Sequence, residues 1–309
     1  MDDQHAGRAR FWIGAGGEAP MYVERTGTGA QDRPALVLIH GGGGQGLDWL
    51  GTPDGRPGWA PELARRGHRV FTVDRPGHGR GAQWAGALGE MGEPLPAEGL
   101  AVLFRSPDGV HPTAHLHTQW PGDGGPPGSD PAILQMLASC RSMPTDLAVA
   151  HALEARLGAE LIDRVGPSVL FTHSAGAPAG WLIAAERPQL VRAVVALEPF
   201  GPPFRPAADG VPGLPHGLTA MPLGDLSDVP VLLVTAEASL LGHFDTEVRD
   251  YLAEAGARVQ LLRLADHGVH GNGHGMIFER NHLQVLDVVM EQLTALLAAA
   301  AAAAAPAQK

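Results

Sequence analysis

Ser168-Val169-Leu170-Phe171-Thr172-His173-Ser174-Ala175-Gly176 runs from an apolar stretch into a serine set among small residues, and Ala177, Ala179 and Gly180 follow. The order predicts a strand, a sharp turn carrying Ser174, and then a helix. That arrangement lifts a serine Oγ clear of the end of a sheet. Gly176 stands two residues after the serine, where the turn wants glycine; Thr172 stands two before it, where glycine is usual. So short a pattern also arises by chance. Its meaning depends on what the rest of the chain supplies.

Working outward, short β-branched runs alternate with helical stretches, the pattern of a mostly parallel sheet covered on both faces. Phe11-Trp12-Ile13 and Met21-Tyr22-Val23-Glu24 read as an opening strand pair joined through Gly14-Ala15-Gly16-Gly17. Ala35 to His40, Arg69 to Asp74, Ser168 to Thr172, Val191 to Leu197, Val229 to Thr235 and Arg258 to Leu264 add six strands. Eight strands in all are expected, the inner ones apolar enough to be buried on both faces. Leu147 to Val165 has helical spacing with Asp146 as its cap, and Gln284 to Ala300 reads as a closing helix. Residues 82 to 143, rich in Gly, Pro and His, interrupt the alternation. Trp84, Val102-Leu103-Phe104 and Trp120 give that stretch apolar anchors, so it is expected to be a cap-like insertion in a single 309-residue domain. Residues 298 to 309 read as a low-complexity tail.

Composition narrows the partners. The net charge of −11, with no run of Lys or Arg to offset it, disfavours nucleic acid and anionic membrane. No stretch reads as long enough in uninterrupted apolar residues to span a bilayer, and Met1 to His5 lacks the opening of a signal peptide, so a cytoplasmic protein is expected. Cys140 is the only cysteine, which excludes an internal disulfide and a thiolate zinc site.

Acyl transfer needs a nucleophile, a base, an acid to orient the base, and donors for the oxyanion. Ser174 supplies the first. The backbone N–H of Ala175 and the loop His40-Gly41-Gly42-Gly43-Gly44-Gln45-Gly46 can supply the donors. Without Cβ atoms, Gly42, and Gly43 beside it, can bring their N–H groups against a substrate carbonyl. The same loop satisfies Gly-x-Gly-x-x-Gly. A phosphate loop, however, should open into a helix, and Pro53, Gly55, Pro57 and Gly58 follow too closely for a long one. For the base, His267, His270 and His274 all follow the last strand. For the acid, Glu198 ends the sixth strand and Glu237 the seventh, and a buried carboxylate at either place would be satisfied by a histidine. A paired carboxylate would move the titration of the base upward. Asp74-Arg75-Pro76-Gly77-His78-Gly79-Arg80 reads as a structural turn, and Thr52 to Trp59 as a brace for the oxyanion loop. His111, His115 and His117 bring to mind a metal but lack a matching carboxylate arrangement. Phe104 and Trp120 can line a substrate pocket under the insertion.

The chain resembles a branch of the α/β-hydrolase superfamily represented by a small bacterial esterase with a Ser-Glu-His triad. Four stretches carry the resemblance: His40-Gly41 with Thr52 through Trp59; Thr172-His173-Ser174; Leu197-Glu198-Pro199; and Gly268 through His274, continuing to Arg280-Asn281. It implies that the acid follows the sixth strand, hence Glu198, and that His274 is the base. That esterase carries adjacent cysteines where this chain has Gly42-Gly43, so any role of those cysteines is absent here. The expected function is hydrolysis of a small carboxylic ester through an acyl-enzyme, with no cofactor and no metal. The same machinery serves a lactonase, an amidase or a carbon–carbon hydrolase. In another class, a ligand receptor can keep the fold without the chemistry.

Overall fold

The computed structural model describes residues 9–14, 19–81, 83–200 and 223–304. Residues 15–17 of the first expected connection, residue 82 and residues 305–309 of the tail lie outside them. The strands are β1 Ala9–Ile13, β2 Met21–Thr26, β3 Ala35–Ile39, β4 Val70–Asp74, β5 Ser168–His173, β6 Val191–Leu197, β7 Pro230–Thr235 and β8 Arg258–Arg263. They form one sheet in the order β1-β2-β4-β3-β5-β6-β7-β8. β2 is antiparallel to both β1 and β4, and every pair from β4 onward is parallel. The eight-stranded, mostly parallel expectation holds.

Period-two alternation explains the layering. Leu170, Val194, Val231 and Leu233 face one side, against Leu157, Leu161 and Trp181 of the helices Leu147–Val165 and Ala177–Glu186. Val169, Phe171, Val195 and Val234 face the other, against Trp49, Trp59 and Leu63 and the closing helix His282–Ala304. Because both sides are covered, the central strands can be apolar throughout. Asp146 caps Leu147–Val165 by accepting the Val149 N–H at 3.1 Å, and Gly166 ends that helix at φ +82°.

The closing helix bears on one expectation, although Asp287 and Glu291 interrupt its apolar run. With its alanine run it is long and apolar enough to cross a bilayer by length and composition. Here Val285, Leu286, Val289 and Leu293 are buried against the sheet.

Two strand ends turn through left-handed backbone. Ser174 follows β5 at φ +52° and Glu198 follows β6 at φ +47°, left-handed conformations that cost an L-residue of order 1 kcal/mol or more. Gly176 completes the first turn. A Cβ there would lie 2.3 Å from the His40 carbonyl oxygen, so the elbow backbone rests directly on the end of β3.

Gly176→Ala should therefore cost about 1–3 kcal/mol of stability, because backbone rather than a movable side chain must yield. Gly128→Ala, with nothing near its Cβ position, is the control and should be close to neutral. Urea denaturation of both variants checks this; equal midpoints would show that the elbow relaxes freely.

Candidate active site

Ser174, Glu198 and His274 come together from three loops at the C-terminal edge of the sheet, all buried. His274 Nε2 lies 2.9 Å from Ser174 Oγ, and its Nδ1 lies 3.5 Å from Glu198 Oε2. Glu198 also accepts the Ala236 N–H at 2.7 Å and the Ser239 hydroxyl, while Ser239 Oγ accepts the Leu241 N–H. Glu237 goes elsewhere: it accepts the Gly271 N–H and contacts exposed His270 at 3.2 Å. His267 is also exposed.

Burial dominates the electrostatics of this trio. It pulls His274 down to about 4, with only the charge of Glu279 opposing, so the upward shift expected from pairing is not what this environment gives. It pushes Glu198 up to about 8, against the Ala236 N–H and Ser239 hydroxyl that favour the carboxylate. His173, the last residue of β5, is lowered to about 3 by burial and by His274. Its Nε2 lies 2.8 Å from the His274 carbonyl, so a neutral ring with a proton there donates to the backbone of that loop.

The glycine loop is held from behind. Arg75 Nη2 donates to the Gly41 carbonyl at 2.8 Å, and Nη1 to Glu154 Oε1 at 3.0 Å and the Ala175 carbonyl at 3.4 Å. The Arg75 backbone N–H donates to His40 Nε2 at 3.1 Å, which leaves the other ring nitrogen, Nδ1, to donate to the same Gly41 carbonyl at 2.8 Å. In a trans peptide the Gly42 N–H points opposite to that clamped carbonyl. Among the described residues neither the Gly42 nor the Gly43 N–H donates to a protein acceptor. The Asp74–Arg80 turn thus does more than reverse the chain. Asp74 also accepts the Gly46 N–H at 2.6 Å. Sequence reading missed Arg75 because its partner Glu154 is 79 residues away.

A cavity of about 770 Å³ opens beside Ser174, walled by residues that include Leu50, Leu103, Phe104, Met143 and Phe200. The Phe104 ring lies 5.2 Å from the His274 ring. Trp120 does not line this cavity. Its indole N–H donates to buried Asp130, the cap of the helix Pro131–Ser139, and its ring packs in the core. The Thr52–Trp59 stretch also departs from expectation. It lies against the turn after the glycine loop, but Arg56 donates to the Phe278, Glu279 and Arg280 carbonyls and Trp59 Nε1 to the His282 carbonyl. Its polar bracing therefore goes to the His274 side. His111, His115 and His117 do not form a metal-type cluster among the described residues.

An eight-stranded sheet of this order, with a serine lifted at the end of β5, defines an α/β hydrolase. A family model described as alpha/beta hydrolase fold matches residues 34–228, and the chain belongs to that superfamily. It is 32% identical over 295 residues to a probable secreted lipase, phiG, of a fungal species (strain ATCC 74256), covering 82% of this chain and 80% of the relative. A solved structure of a novel bacterial esterase superposes with a TM-score of 0.69 at 22% identity, over 94% of this chain and 96% of that one. Cfl2 from Burkholderia cenocepacia superposes at 0.52 and 15% identity, over 93% and 97%. The protein is a hydrolase of the α/β fold with esterase- and lipase-like relatives. The fungal relative is described as secreted, which lends no support to a cytoplasmic location for this chain.

The Arg75–Glu154 pair is almost wholly buried, so removing one partner strands the other charge. Glu154→Gln and Arg75→Met should each cost roughly 3–5 kcal/mol, and the double variant clearly less than their sum. A double-mutant cycle by urea denaturation measures this; additive losses would show that the charges do not interact.

Proposed function

We propose that the protein hydrolyses a carboxylic ester with a hydrophobic group, through an acyl-enzyme on Ser174. The 2.9 Å contact between His274 Nε2 and Ser174 Oγ beside an apolar cavity carries this reading. His274 takes the serine proton as Oγ attacks the carbonyl carbon. Glu198 fixes the ring so that Nε2 is the free base, and stabilises the imidazolium that forms. The Gly42 and Ala175 N–H groups, with Gly43 alongside, receive the oxyanion. His274 then protonates the leaving alcohol and later takes a proton from the water that frees the acid.

The segment from about 82 to 143 acts as the cap. Its Leu103, Phe104 and Met143 form much of the apolar wall, so the choice of substrate lies there. A cavity of this size suits one drug-sized ester. No cofactor enters the scheme.

Ser174→Ala should lose nearly all turnover of a p-nitrophenyl ester panel, and covalent labelling by a fluorophosphonate, while keeping its fold by circular dichroism. A folded variant with near-normal turnover would sink the assignment. Glu198→Gln should lose on the order of 10³-fold or more in kcat, whereas Glu237→Gln should lose little. The reverse ranking would move the acid to the end of β7.

The pH dependence follows from which forms are active. Attack needs His274 neutral and Glu198 charged. The Ser239 hydroxyl donates to the charged form, so its loss raises the affinity of the pair for a proton. In Ser239→Ala the acid limb of kcat/KM should move to higher pH by on the order of one unit. A limb that stays in place, or moves down, would mean that Glu198 does not titrate with the base.

A further inference from the structure

His117 belongs to the segment between β4 and the helix Leu147–Val165, yet its ring is enclosed against the loop that carries His274. Its side chain is 1% exposed. Nδ1 lies 2.6 Å from the Arg105 carbonyl oxygen and Nε2 lies 3.0 Å from Glu279 Oε1. A carbonyl oxygen only accepts, so Nδ1 carries a proton. Glu279 is fully buried and accepts the Gly273 N–H at 3.0 and 3.1 Å and the Asn272 amide at 2.7 Å. Donors converging on both oxygens are the setting of an ionised carboxylate, so Nε2 donates as well. Both nitrogens donate only in the imidazolium. Arg105 also ends a helical stretch, where carbonyl oxygens favour a cation.

Glu279 holds the two residues directly before His274. Around the same junction, the Thr118 and Gln119 N–H groups donate to the Gly271 carbonyl and the Arg280 N–H donates to the Gln119 carbonyl. Other charges nearby are committed elsewhere. Arg56 donates to the main chain of residues 278–280, Arg280 to the Gly122 carbonyl, and the Arg105 guanidinium lies 3.8 Å from Asp130. His274 and Glu198 both feel the charge of Glu279.

We infer that His117 is a positioning residue: its imidazolium clamps Glu279, holds the turn before His274 in its working geometry, and releases that turn when it loses its proton. The inference rests on His274 being the base. Burial works against the charge on His117, but the hydrogen bond and charge of Glu279, with the Arg105 carbonyl, outweigh it and raise the ring above the ordinary histidine value. The clamp is therefore closed below that raised value and opens as pH rises through it. The neutral ring would keep Nδ1–H on Arg105 and turn a lone pair toward the carboxylate.

The test pairs kcat/KM against pH for a p-nitrophenyl ester with side-chain 15N NMR of the histidines in the intact protein. Wild type should show an alkaline fall whose midpoint matches the His117 titration, with both His117 nitrogens protonated on the acid side of it. His117→Gln can still donate an amide N–H to Glu279 but cannot titrate. It should lose the alkaline fall and keep the acid limb. Glu279→Gln should lower kcat by on the order of 10- to 100-fold with little change in KM, as expected when a base is misplaced by about an ångström. A His117 that keeps a lone-pair nitrogen across the whole pH range of activity overturns the proposal, as does an unchanged alkaline fall in His117→Gln. If Ser174→Ala kept full turnover, the triad would fail instead, and the His117 titration would still report on the clamp.

Discussion

The contact between the Gly176 backbone and the His40 carbonyl joins the elbow to the glycine loop, and the geometry of the site depends on it. Left-handed backbone at Ser174 is costly and persists only if its surroundings fix it. Here the end of β3 lies against the turn with no room for even a methyl group. The same closeness brings the loop after β3 beside Ala175: a Cβ on Gly42 would meet the Ala175 Cβ at 3.3 Å. Two N–H sources from chain segments more than a hundred residues apart thus share one small space.

Beside that contact the protein buries one ion pair. Arg75 is neutralised by Glu154 and its two Nη groups also donate to the Gly41 and Ala175 carbonyls, while among the described residues its Nε–H and Glu154 Oε2 meet no hydrogen-bond partner. His40 completes the set as a neutral ring, lowered well below its ordinary value by burial and by Arg75. This concentrates fixed donors on the carbonyl side of the Gly41–Gly42 peptide. On the cavity side lie the N–H groups, held in place before any substrate arrives. Such preorganised dipoles act strongly where water is excluded.

The sheet and the elbow were legible because each strand carries its own period and each turn its own residues. The helix Leu147–Val165 was placed to the residue, with its apolar positions at helical spacing and Asp146 marking its start. The family resemblance separated Glu198 from Glu237, where local chemistry left both open. What could not be read depends on distant pairing. Arg75 resembles any turn arginine until Glu154 is brought to it. Ser239 has no signal of its own beside Glu198. Trp120 offered an aromatic wall, but its N–H needed an acceptor and found Asp130 in the core. Burial also overturned the expected direction for His274: pairing with a carboxylate raises a histidine in water, whereas an enclosed pair is first depressed by the loss of solvent.

The Thr52–Trp59 stretch shows how the two halves of the site are kept in step. Its outer edge packs on the turn that follows the glycine loop, and Gly58 allows the Trp49 carbonyl to approach where a Cβ would lie only 2.4 Å away. Its inner edge sends Arg56 and Trp59 to main-chain carbonyls at 278–282. One short, cross-linked segment therefore touches both the end of the glycine loop and the loop that follows His274. On the opposite side, the segment after β4 reaches the same loop through His117 and Glu279. The His274 loop is held between them by hydrogen bonds to its backbone and to Glu279, none of which uses the imidazole. The ring is thereby left with Ser174 and Glu198 as its only polar partners among the described residues.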